Sequence, residues 1–100
     1  MSANDPIQEK LSQLPRKPGV YLFIDNKGKT LYIGKAKVLT NRVRSYFHKS
    51  TNHSLKVISL LRKVKDLEWI VTGSEVEALL TEANLIKEQM PHYNVLCTLH

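Results

Sequence analysis

The chain has 100 residues, 42% of them hydrophobic and 24% charged, and its formal net charge is +6. This size suits one domain with a modest core and excludes a multidomain architecture. No apolar run could span a bilayer, the first residues lack the pattern of a secretory signal, and Cys97 is the single cysteine, so we expect a cytoplasmic protein without a membrane partner. In this domain, 1–100, we expect an N-terminal helix and linker over 1–17 and the core over 18–95.

The positive charges are concentrated in the middle of the chain. Residues 26–65, the basic block, hold eleven Lys or Arg and no acid, whereas six acids and a single Lys follow from residue 66 onward. A block of this kind favours a polyanionic partner, above all a phosphate backbone. An anionic membrane surface and simple solubility are the alternatives.

A short helix is predicted at the start of the chain. Asn4 or Asp5 can cap it, Pro6 suits its first position, and Pro15 ends it. Its apolar residues at helical spacing are Ile7, Leu11 and Leu14.

Residues 18–37 carry the signal of a β-hairpin, because two apolar runs flank the turn sequence Asp-Asn-Lys-Gly-Lys. Tyr21 lies in the first run and Tyr32 in the second. A two-residue loop (27–28) or a four-residue loop (25–28) would place both phenols on one face of the sheet. A three-residue loop would place them on opposite faces, because side chains alternate along a strand. The turn sequence allows either outcome, and we predict the shared face.

The helix predicted after Gly34 has one apolar face that also carries an arginine. The apolar members are Leu39, Val43, Tyr46 and Phe47. Arg42 lies on this face, so we expect it to reach over the hairpin, whereas Arg44 points away toward solvent or a distant phosphate. Taken alone, Arg42 could instead be a snorkelling side chain at the edge of the core.

The second half of the chain predicts a polar loop (48–53), a basic helix, a strand (67–72) and a long final helix from about Glu75 to Met90. Ser74 and Glu77 form a capping box at the start of the final helix. The predicted buried stripe of the basic helix is Leu55, Ile58, Leu61 and Val64. That of the final helix is Val76, Leu79, Leu80, Ala83, Ile86 and Met90. These helices and strands around a small antiparallel sheet predict an α+β fold.

Glu82 does not fit its surroundings on the final helix. Its neighbours one turn away, at i±3 and i±4, are all apolar: Ala78, Leu79, Leu85 and Ile86. A carboxylate on an apolar patch needs compensation, which an Arg or Lys partner, a cleft that admits water, or a metal ion could supply. Mg²⁺ often takes one or two carboxylates, with water and phosphate filling its other positions. Asn94, just past this helix, could shape a turn.

Several short motifs along the chain resemble those of the GIY-YIG nuclease family. They are, in order, Gly19-Val20-Tyr21, Tyr32-Ile33-Gly34, Arg42, Glu82 and Asn94. The segments Gly-Lys-Ala-Lys and Pro-His-Tyr-Asn-Val are similar to the branch of the family that forms the N-terminal domain of the incising subunit of the bacterial excision nuclease. Val20 stands where the first motif has isoleucine, and residues 96–100 depart from the expected continuation. The resemblance covers nearly all of residues 12–95.

The resemblance implies a three-stranded antiparallel sheet flanked by helices and metal-dependent hydrolysis of a DNA phosphodiester, on the 3′ side of a lesion in nucleotide excision repair. It implies one divalent ion, Mg²⁺ or Mn²⁺, on Glu82. The implied catalytic residues are Tyr21, Tyr32, Lys35, Arg42 and Tyr46. Gly34 and Asn94 would support the site, and the DNA contacts would be Lys37, Arg44 and Lys49. Either Tyr21 or Tyr32 could be the general base, and we favour Tyr21, with Tyr32 positioning the reactants.

The implied partners are damaged or distorted DNA and a damage-recognition loading protein, with the isolated domain a monomer. One alternative is a non-catalytic nucleic-acid-binding module that uses the basic block, which would bind DNA in a salt-sensitive way that ignores Glu82 and metal. Another is a stand-alone nuclease of this family outside excision repair.

Overall fold

A computed structural model describes residues 6–48 and 52–98 of the chain. The elements are, in order, α1 (Pro6–Gln13), β1 (Gly19–Ile24), β2 (Thr30–Ala36), α2 (Leu39–Tyr46), α3 (Leu55–Lys63), β3 (Asp66–Val71), α4 (Glu75–Gln89) and α5 (His92–Thr98). The strands form one antiparallel sheet in the order β2-β1-β3 with helices on both faces, which confirms the predicted α+β fold. The predicted caps Asn4 and Asp5 and the predicted DNA contact Lys49 lie outside the described residues.

The hairpin places Tyr21 and Tyr32 on one face, as predicted, but its loop has three residues rather than the expected two or four. The Asp25 N–H donates to the Lys29 carbonyl at 2.9 Å, which closes a three-residue loop with Gly28 at φ 83°. Leu31 is then an extra residue on β2, because Ile24 pairs with Thr30 and Phe23 pairs with Tyr32. This bulge shifts the register by one residue. Tyr21 and Tyr32 therefore lie on the same face in spite of the odd-numbered loop.

Each face of the sheet has its own core. On one face, Tyr21 and Phe23 pack with residues of α1, α2 and α3, and the buried members from these helices are Ile7, Leu11, Leu39, Val43 and Leu60. On the other face, the strand residues Val20, Leu22 and Ile33 pack against α4. The sheet thus has two distinct faces. Tyr21 and Tyr32 lie on one of them, the phenol face, and α4 covers the other.

The predicted stripe of the basic helix, α3, is right for Val64 and wrong for Leu55 and Ile58. Leu55 is 84% exposed and Ile58 is also exposed, whereas Leu60 is 3% exposed and Val64 is buried. Leu60, which was not part of the predicted stripe, is the residue of α3 that enters the core. The buried side of the helix is therefore turned away from the side that the sequence predicted.

The predicted stripe of α4 is wrong as well, apart from Ile86. The side chains of Val76, Leu79, Leu80 and Met90 are exposed. Ala78 is buried instead, and Leu85 and Ile86 pack against Val20, Leu22 and Ile33. Because Ala78 is small, α4 can pack closely on the sheet through the side of the helix that carries it. The apolar residues on the other side of α4 therefore face solvent.

The two ends of α4 have defined caps. The Ser74 hydroxyl accepts the Glu77 N–H at 3.1 Å, and the Glu77 carboxylate accepts the Gly73 N–H at 2.6 Å, so the predicted capping residues are confirmed. Met90 ends the helix in a left-handed conformation, and α5, which the sequence did not predict, follows. In the part of the chain that the structure describes, no helix is long and apolar enough to cross a membrane.

Candidate active site

Tyr21 lies at the bottom of a cluster of polar groups on the phenol face. Its side chain is 1% exposed, and its hydroxyl lies 3.0 Å from the Tyr46 hydroxyl. Burial raises the pKa of Tyr21 far above its ordinary value, and the neighbouring Tyr46 adds to this, whereas the hydrogen bond from Arg42 opposes it. Tyr21 is therefore a neutral phenol that supports the groups above it, and it is poorly suited to the role of general base that we favoured for it.

Arg42 projects from α2 over the hairpin, as predicted. Its Nε donates to the Tyr21 hydroxyl and its Nη2 to the Tyr46 hydroxyl, both at 3.4 Å, and its guanidinium lies 5.3 Å from the centre of the Tyr46 ring. The hydrogen bond to Tyr21 raises the pKa of Arg42, so the group stays cationic. Two phenols thus fix the direction of an exposed positive charge.

Gly34 makes room for the Tyr21 phenol. The two residues pair across β1 and β2, and a Cβ atom at position 34 would overlap the ring and hydroxyl of Tyr21. A larger residue here would displace Tyr21 and, through it, Arg42 and Tyr46. The glycine of the second motif is therefore required by a tyrosine of the first.

A cavity of about 270 Å³ opens above these groups. Tyr32, Arg42 and Tyr46 line it from β2 and α2. The residues that complete it from α3 and its cap and from α5 are Ser54, Lys56, Val57, Leu60 and Tyr93. Tyr32 is half-buried, so its phenol, unlike that of Tyr21, lies at the cavity itself.

Lys35, which was predicted to be catalytic, and the predicted DNA contacts Lys37 and Arg44 lie in two places. Lys35 and Lys37 line a groove of about 450 Å³ together with Arg42, Asn41 and Ser45, so this groove continues from the cavity through Arg42. Arg44 is on the other side of α2, where its Nη2 donates to the Leu11 carbonyl at 3.3 Å. Arg44 therefore binds α1, and the structure does not bring it to the cavity.

Glu82 lies on α4 beside the edge strand β2 rather than in the wall of the cavity. Of the residues one turn before and after it, Ala78 belongs to the same buried cluster as Ile33, and Ile86 packs against that cluster. The carboxylate has no ion pair or hydrogen bond with any of the residues described, and no buried side-chain oxygen in residues 6–48 and 52–98 lacks a partner, so its oxygens reach solvent. The arginine or lysine partner considered for Glu82 is thus not found among these residues.

Asn94 holds the outer edge of β2 from the first turn of α5. Its Oδ1 accepts the Ile33 N–H at 2.7 Å and its Nδ2 donates to the Ile33 carbonyl at 2.8 Å. The buried side-chain amide thus replaces a neighbouring strand for the central residue of the second motif. The alternative of a simple turn residue is wrong, because Asn94 lies within a helix and its side chain is fully paired.

Residues 17–95 match the family model described as "UvrC-like GIY-YIG domain". The chain belongs to this family. A UvrABC system protein C from Caldanaerobacter subterraneus is 57% identical over 90% of the chain, and one from Clostridium botulinum is 51% identical over the same share. The chain spans about 15% of the length of these curated relatives.

Solved structures agree with the assignment to the UvrC-like GIY-YIG family. The N-terminal endonuclease domain of UvrC from Thermotoga maritima, described as bound to its catalytic divalent cation, magnesium, is 43% identical and superimposes with a TM-score of 0.77. The match covers 93% of this chain and 98% of that one.

The sequence reasoning missed one wall of this GIY-YIG cavity. It gave no role in the site to Ser54, Lys56 or Tyr93, which line this wall, and Tyr93 is buried. The positive charge of Lys56 within the basic block was the one available signal. The wall forms where α3 meets α5, with the Ser59 hydroxyl 2.8 Å from that of Tyr93, and the local pattern does not encode this contact.

Proposed function

We propose that this chain is a metal-dependent endonuclease that hydrolyses a DNA phosphodiester, and that it makes the 3′-side incision of damaged DNA in nucleotide excision repair. The observation that carries the proposal is the cavity in which Tyr32, Arg42 and Tyr46 meet above the buried Tyr21. The likeness to endonuclease domains of UvrC supports the same reaction.

The carboxylate of Glu82 fits a single hard divalent ion. It is half-buried, its oxygens reach solvent, and no described residue neutralises it. The described residues hold no cluster of three or more His, Cys, Asp or Glu side chains, which suits Mg²⁺ or Mn²⁺ with one protein carboxylate and several waters better than an all-protein cage. When bound, the ion supplies positive charge to the phosphate and to the leaving 3′ oxygen.

Tyr32 is the better candidate for the general base. In the proposed reaction, Tyr32 first gives its phenolic proton to solvent. A water oxygen then attacks phosphorus, the water proton passes to the Tyr32 oxygen, the bond from phosphorus to the 3′ oxygen breaks, and the 3′ oxygen takes a proton from solvent. Tyr32 lines the cavity where this water would stand, whereas Tyr21 is buried and held neutral. This assignment reverses the order that the sequence favoured.

Arg42 neutralises the charge that develops on the phosphate, because a guanidinium donates strong charge-assisted hydrogen bonds to such oxygens. Tyr46 and Tyr21 hold it in place. Lys35 and Lys37 guide the DNA strand along the groove that Arg42 shares. Gly34 and Asn94 support the strand that carries Tyr32.

The test compares Glu82→Gln with Glu88→Gln, an exposed position on the same helix. We expect wild type and Glu88→Gln to nick supercoiled plasmid with Mg²⁺ or Mn²⁺, and Glu82→Gln to lose at least about 100-fold in rate, in line with the loss of one strong transition-state contact. Calorimetric titration with Mn²⁺ should show binding that Glu82→Gln abolishes. Full activity of Glu82→Gln would contradict the proposal.

A non-catalytic DNA-binding module is the second candidate, favoured by the basic block alone. It would bind DNA equally well in both glutamate variants and would not respond to metal. We also propose damaged or distorted duplex DNA as the substrate, a damage-recognition loading protein as the partner, and a monomeric state. The cytoplasmic location stays a prediction.

A further inference from the structure

The wall of the cavity formed by α3 carries a positive charge that the proposed reaction does not yet use. Lys56 lines the same cavity as Tyr32, Arg42 and Tyr46, but it comes from a different element. The neighbouring Ser54, which also lines the cavity, caps α3 and accepts the Val57 N–H at 3.3 Å. The positive end of the α3 dipole and Lys56 therefore lie at the same wall of the cavity.

The start of α3 is fixed against α2. His53 stacks on the Tyr46 ring with a centroid separation of 6.2 Å, and its Nε2 lies 2.9 Å from the Tyr46 carbonyl oxygen. Further along, the Ser59 hydroxyl lies 2.8 Å from that of the buried Tyr93. These contacts hold α3 just before its start, at His53, and in its middle, at Ser59. The backbone that carries Lys56 is therefore held in place between them.

The two cations of the cavity differ in the shape and reach of their charged groups. Arg42 has its Nε and Nη2 directed at two phenols, so part of its donor set is engaged within the protein. A lysine ammonium is a compact charge with three donors on a flexible stem, and it can follow a phosphate that moves between binding and cleavage. A DNA strand in the cavity would pass between Arg42 on α2 and Lys56 on α3.

We propose that Lys56 contacts a phosphate of the bound DNA strand from the α3 wall and thereby positions the strand beneath Arg42. This inference rests on the proposed nuclease function for the identity of the ligand. It adds a substrate-binding residue, and a second wall, to a site otherwise built from β2 and α2.

The experiment compares Lys56→Met with Arg62→Met, which removes the same charge from an exposed position of the same helix that does not line the cavity. Lys56→Arg keeps the charge. Affinity for a short fluorescein-labelled duplex is measured by anisotropy in EDTA between about 50 and 200 mM salt. Thermal unfolding of each variant establishes that the fold is intact.

We expect Lys56→Met to weaken binding by about fivefold at the lowest salt and to reduce the salt slope by about 0.9, the value for one lost phosphate contact, while Lys56→Arg retains wild-type behaviour. Arg62→Met should stay within about twofold. Equal losses in both Met variants would show a general field effect and overturn the contact, as would a wild-type protein that does not bind the duplex.

A plasmid-nicking assay on the same variants separates this inference from the proposed function. If the wild type binds and Lys56→Met is selectively weakened, but no variant nicks DNA with Mg²⁺ or Mn²⁺, the Lys56 contact stands and the nuclease proposal fails. If the wild type nicks DNA and Lys56→Met binds and cleaves like Arg62→Met, the Lys56 contact is wrong and the nuclease proposal stands.

Discussion

At the scale of single residues, Tyr21 and Tyr32 differ in burial, and burial decides what each hydroxyl can do. The Tyr21 side chain is buried beneath Arg42 and Tyr46, whereas the Tyr32 side chain is half-buried and lines the cavity. A base must reach water, and a supporting phenol need not. The two tyrosines of the paired motifs therefore have separate roles in our account.

Phenylalanine substitutions test this division. We predict that Tyr32→Phe lowers the nicking rate by more than about 100-fold, because it removes the proposed base, and that Tyr21→Phe lowers it by about 10-fold, because Arg42 and Tyr46 lose one anchor each. Single-turnover rates with Mn²⁺ measure both. A larger loss for Tyr21→Phe than for Tyr32→Phe would restore Tyr21 as the base.

The buried phenol also predicts how stability depends on pH. The pKa of Tyr21 in the folded protein lies above that in the unfolded chain, which is about 10. Above that pH the unfolded state releases a proton that the folded state keeps, so the free energy of unfolding falls as pH rises, by up to about 1.4 kcal/mol per pH unit. Urea unfolding at several alkaline pH values should show a shallower decline for Tyr21→Phe than for wild type. Equal slopes would mean that Tyr21 ionises normally.

The residues proposed for the site could be chosen from the sequence by their type and order, because the spacing of motifs can be seen without knowledge of the fold. Which hydroxyl would be buried could not, since it depends on how closely α2 packs on β1. Lys56 was missed for a similar reason, because its place in the cavity depends on how α3 packs, including a contact between Ser59 of α3 and Tyr93 of α5 that is distant in sequence.

At the scale of elements, the helices α3 and α4 show where periodicity fails. Each carries apolar residues on more than one face, so the pattern permits several buried stripes. The structure buries Leu60 in α3 and Ala78 in α4 and leaves Leu55 and Leu80 exposed. Which side of each helix is buried depends on how its side chains fit the sheet on which it packs, and the sequence of the helix alone does not determine this.

A pair of alanine substitutions tests the faces that the structure selects. Leu60→Ala removes a side chain that is 3% exposed, and we predict a loss of about 2–5 kcal/mol in the free energy of unfolding. Leu80→Ala, at a side chain that is 60% exposed, should cost less than about 0.5 kcal/mol. Urea denaturation measures both. The reverse order would support the stripe predicted from the sequence.

The edge of β2 depends on one side chain from α5. We predict that Asn94→Ala lowers the free energy of unfolding by about 2–3 kcal/mol, because it breaks two hydrogen bonds of a buried amide and leaves the N–H and C=O of Ile33 without these partners. Thr72→Ala, which removes a buried hydroxyl away from this edge, serves as the control, with an expected loss near 1 kcal/mol. A loss for Asn94→Ala no greater than that of the control would show that β2 needs no such support.

At the scale of the whole molecule, the sheet divides the proposed site between its two faces. The phenols and Arg42 lie on one face, whereas Glu82 approaches β2 from the helix on the other. Because β2 is an edge strand, side chains from both faces can meet around it, and Lys35, Lys37 and Arg42 share a groove beside it. The resemblance implied one site for Tyr21, Tyr32, Arg42 and Glu82, whereas the structure places Tyr21 beneath the cavity and Glu82 outside its wall.

The most direct test of the account is anomalous diffraction from crystals of this chain soaked in Mn²⁺. We predict a peak at about 2.1–2.2 Å from a Glu82 carboxylate oxygen, on the side of β2 that opens toward Tyr32, and the loss of this peak in Glu82→Gln. A peak held by other residues, or no peak at Glu82 in crystals that contain Mn²⁺ elsewhere, would contradict the account.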